Sequence, residues 1–193
     1  MHRPRILAIQ AGLGGEDGNS AALLAHALPH LAPHADVEVV TLAAQPGFAP
    51  HRDALALADG FVIVTGTYWD GPSSHLQRFL EEATPSEGTA LWLGKPAAVL
   101  VGAHAVGGKA VLARLQSVLA TLGASIPPMS GLVVTLAAQI AIDHASHDHA
   151  DDLWSTADLE IVCHNLVVAT RVDRSAYRAW AVDRRDPARR WLR

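Results

Sequence analysis

The sequence predicts an α/β domain built on a doubly wound, five-stranded parallel sheet in a three-layer α/β/α arrangement. Three observations carry this prediction. Apolar runs of strand length alternate with helical patterns along the chain. Several of these runs are continuously apolar, which is typical of strands that are covered on both faces. The segments between them have room for helices, as right-handed crossovers between parallel strands require.

The predicted strands are short apolar runs bordered by turn residues. They lie at residues 6–9, 37–42, 61–64, 97–101 and 132–134. Helices are predicted where apolar side chains recur every three or four residues, most clearly in the stripe that Gly123 ends. Five helices are predicted. The first begins at about Ser20, the second covers residues 53–58, the third includes residues 76–80, the fourth includes residues 111–122, and the last runs through about residue 169.

Ser155 and Asp158 have the spacing of a capping box, so they are expected to start the last helix. Its inward side chains are expected to be Leu153, Ala157, Ile161 and Leu166. Cys163 falls among apolar neighbours in this helix and is expected to be a small buried residue.

Composition limits the class of protein. The chain has 193 residues, half of them apolar, which suffices for the core of one domain. No apolar run approaches the roughly 18 residues of a membrane span, and the N-terminal run is interrupted by Gln10, so a first strand is favoured over a signal peptide. A single cysteine excludes an internal disulfide and a cysteine-ligated iron–sulfur cluster. A cytoplasmic protein is expected.

Charge is distributed unevenly along the chain. Residues 171–193 contain eight arginines and three aspartates, a charge of +5, which leaves −9 on the other residues. We therefore expect residues 1–170 to form the domain and residues 171–193 to form an arginine-rich arm. An acidic body argues against a general nucleic-acid binder. The arm also contains Tyr177 and Trp180, so it is expected to dock on the domain or on a sister subunit, with binding of a phosphate-bearing ligand or nucleic acid as the alternative.

Ligands of open parallel sheets bind at the carboxyl ends of the strands, where three loops of this chain have unusual chemistry. The first loop, residues 12–20, is rich in glycine and runs into a helix, whose N-terminus favours phosphate. Gly18 permits close approach of the backbone, and Asn19 and Ser20 add donors. The alternative is an ordinary helix cap, and the acidic pair at residues 16–17 opposes a phosphate unless it points outward.

A dinucleotide-binding fingerprint is not satisfied by this loop. Asp17 occupies the position of the third glycine in G-x-G-x-x-G, and the second strand lacks the acidic residue that would hold a ribose.

The second loop, residues 66–71, places Tyr68 and Trp69 side by side after a buried strand. Adjacent aromatic side chains between glycines favour a flat conjugated ligand such as a flavin. For Trp69 the alternative is an interface residue. The third loop, residues 102–109, contains His104 and a pair of glycines that permits close approach to a ring or phosphate. A lone histidine is often structural, so both a structural role and a contact with the ligand remain possible for His104.

Together these loops resemble those of the NADPH-dependent FMN reductase branch of the flavodoxin-like superfamily, which includes the WrbA-like quinone reductases. The resemblance covers roughly residues 5–135 and implies the strand order 2-1-3-4-5. The matching motifs are Gly18-Asn19-Ser20, Thr67-Tyr68-Trp69, Leu76-Gln77-Arg78-Phe79-Leu80, Gly94-Lys95-Pro96-Ala97 and Gly107-Gly108.

The resemblance implies an FMN cofactor, NAD(P)H as co-substrate and a small-molecule electron acceptor such as a quinone or a free flavin. It also implies a homodimer or homotetramer. Because the flavin supplies most of the chemistry, no catalytic side chain is predicted. In this scheme the first loop holds the phosphate and the other two border the isoalloxazine. The cofactor-binding residues are then Gly12, Gly18, Asn19, Ser20, Thr67, Tyr68, Trp69, Asp70, Gly71, His104, Gly107 and Gly108.

Two other functions remain as alternatives: a flavodoxin-type electron carrier and a non-catalytic module that keeps the fold. A sequence pI near 6.2 and a basic arm favour the reductase over an acidic carrier. A further cluster contains His144, His147 and His149 among aspartates. We expect it to be a solvated loop, with metal binding as the alternative.

Overall fold

Five parallel strands form the central sheet of the computed structural model, which describes residues 3–144 and 152–181. The strands are β1 (Arg5–Gln10), β2 (Asp36–Thr41), β3 (Gly60–Gly66), β4 (Ala97–Ala103) and β5 (Gly131–Thr135). Their order is β2-β1-β3-β4-β5, and all neighbouring pairs are parallel. The doubly wound sheet and its strand order are therefore confirmed.

Six α-helices lie in the described part of the chain, and five of them cover the two faces of the sheet. They are α1 (Asn19–Leu31), α2 (Arg52–Leu57), α3 (Ser74–Ala83), α4 (Gly108–Leu122), α5 (Leu136–His144) and α6 (Leu159–Ala169). Helices α1 and α6 pack on one face, and α2, α3 and α4 pack on the other. None of the described helices is long and apolar enough to cross a membrane.

Strand β3 shows why the apolar runs do not alternate. Phe61 and Ile63 face the α2–α4 layer, where Phe61 packs against Trp92 at 5.3 Å between ring centroids. Val62 and Val64 face the α1–α6 layer. Because successive side chains point to opposite faces and both faces are covered, the four central positions of the strand, residues 61–64, are all apolar.

Helix α5 was not predicted, and its last residue, His144, was expected to lie in a solvated loop. The Thr135 hydroxyl accepts a hydrogen bond from Ala138 N at 3.0 Å and so satisfies an amide of the first turn. His147 and His149 lie outside the described residues. Among the described residues, no group of three or more histidine, cysteine, aspartate or glutamate side chains is placed to hold a metal.

The start of α6 differs from the prediction. The capping box of Ser155 and Asp158 is present, but it closes a 3-10 turn, so the α-helix begins at Leu159. The register of the buried face shifts accordingly. Leu166 is buried as predicted, whereas Leu153, Ala157 and Ile161 are exposed. The buried positions are Leu159, Val162, Cys163, Leu166 and Val167. Burial raises the pKa of the Cys163 thiol to about 12.

The described part of the arm lies at the amino edge of the sheet, opposite the carboxyl-edge loops. Arg174 pairs with Asp59, which precedes β3, at 3.3 Å. Farther along, the Trp180 indole donates to Glu87 at 2.7 Å. These contacts are all with the chain's own domain, so this part of the arm is remote from the loops that carry the predicted ligand site.

Candidate functional site

A cleft of about 570 Å³ opens at the carboxyl edge of the sheet, which is a usual size for a small-molecule site. It lies between the first turns of α1, the ends of β3 and β4, and helix α5. Many of the predicted cofactor residues line it, namely Gly12, Gly18, Asn19, Ser20, Thr67, Tyr68 and His104. The others lie outside its lining, namely Trp69, Asp70, Gly71, Gly107 and Gly108.

The first loop brings the start of α1 close to the end of β1. A β-carbon at Gly12 would stand 2.7 Å from the Ser20 Oγ, so only glycine permits this approach. The Gln10 amide supports the loop from below by donating to the Gly15 carbonyl at 2.9 Å. The acidic residues at 16–17 occupy an exposed 3-10 turn and do not line the cleft. The acidic side chains of this loop therefore leave the start of α1 open to an anion.

The second loop is a tight turn with unusual backbone angles. Tyr68 and Gly71 exchange two backbone hydrogen bonds of 2.8 and 2.9 Å. Between them Trp69 has φ of 50° and Asp70 has φ of 57°, which matches a type I′ turn. This left-handed conformation is costly for a bulky residue, and the Trp69 side chain is nevertheless fully exposed. Local packing therefore does not explain the tryptophan.

Tyr68 connects the second loop to the first. Its hydroxyl accepts a hydrogen bond from Leu13 N at 3.3 Å. Its ring lies over Gly66, where a β-carbon would stand 3.0 Å from the ring edge. Because the aromatic side chain folds back across the strand ends, it forms part of the wall of the cleft.

Ser73 makes a second connection between these loops and is the N-cap of α3. The Ser73 hydroxyl is buried, donates to the Ala11 carbonyl and accepts from Leu76 N at 3.1 Å. Its own backbone N–H donates to Thr65 Oγ1 at 3.1 Å.

The third loop contains Gly107, which is the N-cap of α4 and has φ of 83°. The carboxylate of Asp70 lies against this glycine. The His104 imidazole is exposed, and its backbone carbonyl accepts from Ala137 N of α5 at 2.9 Å. Together the three loops and the start of α5 form one connected rim.

Sequence reasoning missed the wall that α5 and its neighbours contribute. Leu136, Gln139 and Thr156 line the cleft, as does His26 of α1. The run Leu-Ala-Ala-Gln after Thr135 consists of good helix formers, and a hydroxyl residue before such a run is a usual helix start. That signal was available, but the polar histidine-rich stretch that follows it masked the helix.

Apart from His26 and His104, the described side chains that line the cleft carry no charge. Among the described residues that line it, none is lysine, arginine, aspartate or glutamate. Two lining side chains have buried polar atoms without a hydrogen-bond partner, Thr67 Oγ1 and Gln139 Nε2. A helix N-terminus, neutral donors and unpartnered polar atoms fit a ligand that has a phosphate at one end and a polar ring at the other. FMN has this chemistry.

The buried Lys95 of the Gly94-Lys95-Pro96 motif is not part of the cleft. Its ammonium donates to the carbonyls of Leu55 and Ala56 at the end of α2, at 2.7 and 3.2 Å. Burial lowers the pKa of Lys95 to about 8, and Arg174 adds to this effect while Asp59 opposes it. The motif therefore stabilises the amino edge of the sheet.

Comparison with known proteins agrees with this architecture. The model of the NADPH-dependent FMN reductase family matches residues 4–139. No curated protein sequence matches the chain significantly. The structure of RosB with a bound 8-demethyl-8-formylriboflavin-5′-phosphate is similar at a TM-score of 0.67 and 15% identity, over 98% of this chain and 95% of that one.

Two further structures have the same fold. FerB, an NAD(P)H:acceptor oxidoreductase from Paracoccus denitrificans, has a TM-score of 0.66 and 17% identity, over 86% of this chain and 97% of that one. A WrbA-like flavodoxin from Agrobacterium tumefaciens has a TM-score of 0.62 and 15% identity, over 86% and 95% of the two chains. At such identities these likenesses establish the fold, whereas the family model covers most of the chain. The protein belongs to the NADPH-dependent FMN reductase family and is an FMN-dependent NAD(P)H oxidoreductase.

Proposed function

We propose that the carboxyl-edge cleft is the FMN site and that the protein passes a hydride from NAD(P)H to a small-molecule acceptor of the quinone or free-flavin class. One observation supports this most directly: the candidate phosphate loop and the candidate ring loops line a single cleft. Because separate loops converge there, one ligand can contact all of them.

The start of α1 is suited to the phosphate. The first-turn N–H groups of a helix lack intrahelical partners and carry a partial positive charge. Asn19 and Ser20 occupy this turn, and the Ser20 hydroxyl is buried beside Gly12. With no lysine or arginine in the lining, phosphate binding depends on these neutral donors and on the helix terminus.

The ends of β3 and β4 are suited to the ring. Thr67 N is already used, because it donates to the Gly102 carbonyl at 2.8 Å, but Thr67 Oγ1 has no partner. Tyr68 and His104 border the same part of the cleft. FMN, when bound, supplies the ability to accept and donate a hydride. The side chains then bind and orient the reactants. None of the described side chains that line the cleft is a carboxylic acid.

The direct test is a titration of the purified protein with FMN, followed by absorbance before and after NADH or NADPH. We expect FMN to bind and to be bleached by the nicotinamide. Ser20→Ala should lower flavin occupancy, and Ser74→Ala, whose exposed side chain lies outside the cleft, should not. Full occupancy in Ser20→Ala would contradict the placement of the site.

Measurements of turnover distinguish the reductase from the two competing functions and identify the acceptor class. Steady NAD(P)H oxidation with a quinone supports the proposed activity. Bound flavin without such turnover favours an electron carrier, and a protein that stays colourless when FMN is added favours a non-catalytic module. Comparing quinones with free flavins then identifies the acceptor class.

The proposed assembly is a homodimer or homotetramer, and the proposed location is the cytoplasm. Leu136 and Ile140 of α5 are about half exposed beside the cleft, and Trp69 is fully exposed on the same edge. These apolar side chains are suited to contact with a second copy. Light scattering coupled to gel filtration measures the assembly, and a monomeric mass contradicts the proposal.

A further inference from the structure

Helix α5 forms a wall of the cleft although it is barely anchored to the core. None of its side chains is buried. Its attachments at the start are the hydrogen bond from Ala137 N to the His104 carbonyl and the bond from Ala138 N to the Thr135 hydroxyl, at 2.9 and 3.0 Å. The helix therefore stands directly beside the third loop and faces the space that the proposed FMN ring occupies.

Gln139 is the residue of α5 whose polar group lacks a partner. It lines the cleft, and its Nε2 is shielded from solvent without any hydrogen bond. A buried donor that has lost water and gained no acceptor is destabilising. Four side-chain atoms of the described residues are in this condition, and two of them, Thr67 Oγ1 and Gln139 Nε2, belong to the cleft.

We infer that Gln139 is a flavin-binding residue that donates its amide N–H to a carbonyl oxygen of the isoalloxazine. The inference rests on the proposed FMN site and adds to it a binding residue from an unpredicted helix. A neutral amide donor suits a neutral carbonyl oxygen.

The order of the strands places Gln139 at the ring end of the cleft. Helix α5 follows β5 directly, and β5 pairs with β4, whose last residues lead into the loop that contains His104. The candidate phosphate loop follows β1, which is three strands away from β5. At about 4.8 Å between neighbouring strands, that separation is roughly 14 Å along the sheet edge.

The test variant is Gln139→Leu, which keeps the size of the side chain and removes the amide. The dissociation constants of FMN and of riboflavin are measured by quenching of flavin fluorescence. We expect both to rise by about three- to tenfold, the usual effect of one neutral hydrogen bond. The flavin-free variant should unfold at the same temperature as the flavin-free native protein or a higher one, because an unpartnered buried donor has been removed.

The matched control is Gln77→Leu on α3. The Gln77 amide donates to Glu81 at 2.6 Å and accepts from Arg114 at 2.9 Å, and the residue does not line the cleft. This variant should lower the unfolding temperature of the flavin-free protein and leave both dissociation constants unchanged. Gln139→Leu is thus expected to change flavin affinity without loss of stability, and Gln77→Leu to lower stability without a change in flavin affinity.

Four results would overturn the inference. Unchanged affinity of Gln139→Leu for both flavins, with native binding intact, shows that Gln139 does not contact the ligand and leaves the proposed site standing. Weaker binding of FMN alone assigns the contact to the phosphate. A flavin-free Gln139→Leu that unfolds at a clearly lower temperature indicates a structural role for the amide. Failure of the native protein to bind any flavin overturns the proposed function as well.

Discussion

The carboxylate of Asp70 lies against the α-carbon of Gly107, so that a β-carbon at position 107 would overlap Asp70 Oδ1. This contact joins the strained turn after β3 to the start of α4. A carboxylate is favourable there, because the N-terminus of a helix carries partial positive charge. Neither residue lines the cleft, but together they hold two of its loops in register.

Gly107→Ala should lower the free energy of unfolding by about 1–3 kcal/mol, since it adds a steric clash to a positive φ. Urea unfolding measures the change. Adding Asp70→Ala to this variant should restore the share of the lost unfolding free energy that is due to the clash. The share that is due to the positive φ at residue 107 should remain lost. Gly71→Ala is the control, because its β-carbon would meet the nearest atom at an ordinary 3.4 Å. Equal effects of Gly107→Ala and Gly71→Ala would contradict the account of the contact.

Trp69→Gly should raise the free energy of unfolding of the flavin-free protein by about 0.5–1 kcal/mol. The native φ of 50° is unfavourable for tryptophan and permitted for glycine, and the exposed side chain has no packing to lose. Trp69→Ala keeps the unfavourable conformation and should change stability little. Thermal unfolding of both variants tests the argument, which fails if the glycine variant is the less stable of the two.

Ser73→Ala should lower the free energy of unfolding by about 1–3 kcal/mol. It removes the cap of α3 and leaves the Ala11 carbonyl without its buried donor. The neighbouring Ser74→Ala is a matched control, because that side chain is exposed and is not the cap. Urea unfolding of both variants should show a clear loss only for Ser73→Ala, and similar losses at both positions would contradict the assignment of the cap.

The lowered pKa of Lys95 predicts a specific pH dependence of stability. Its folded pKa of about 8 is below the ordinary value of 10.5, so between these values the unfolded chain binds more protons. Stability therefore rises with pH in this window, relative to a variant without the amine, by up to about 3 kcal/mol. Below pH 8 both states are protonated and the difference is constant. The free energy of unfolding is measured against pH for the native protein and for Lys95→Met. A difference between the two proteins that stays constant from pH 8 to 10.5 would contradict this prediction.

Hydrophobic patterning was sufficient to predict the strands of the sheet, because buried parallel strands require continuous apolar runs. It was also sufficient for α4, where a regular apolar stripe ends at Gly123, whose φ is 115°. It was insufficient for α6. There the capping box was recognised, but whether it opens a 3-10 turn or an α-helix changes which side chains face inward.

The chain's own residues determined the parallel sheet with helices on both faces and the presence of glycine-rich and aromatic loops at the carboxyl ends of its strands, because these depend on local patterns and on the rules of parallel crossovers. The strand order was implied by the resemblance to a known family. Only the tertiary structure decided which side chains face the cleft. Tyr68 lines the cleft and its neighbour Trp69 does not, because Trp69 takes the left-handed backbone conformation of the turn at residues 68–71. Gln139 joins the cleft through the contact between α5 and the His104 loop, which are separated by a whole helix and strand in the sequence. Such contacts depend on three-dimensional packing, and no short-range pattern encodes them.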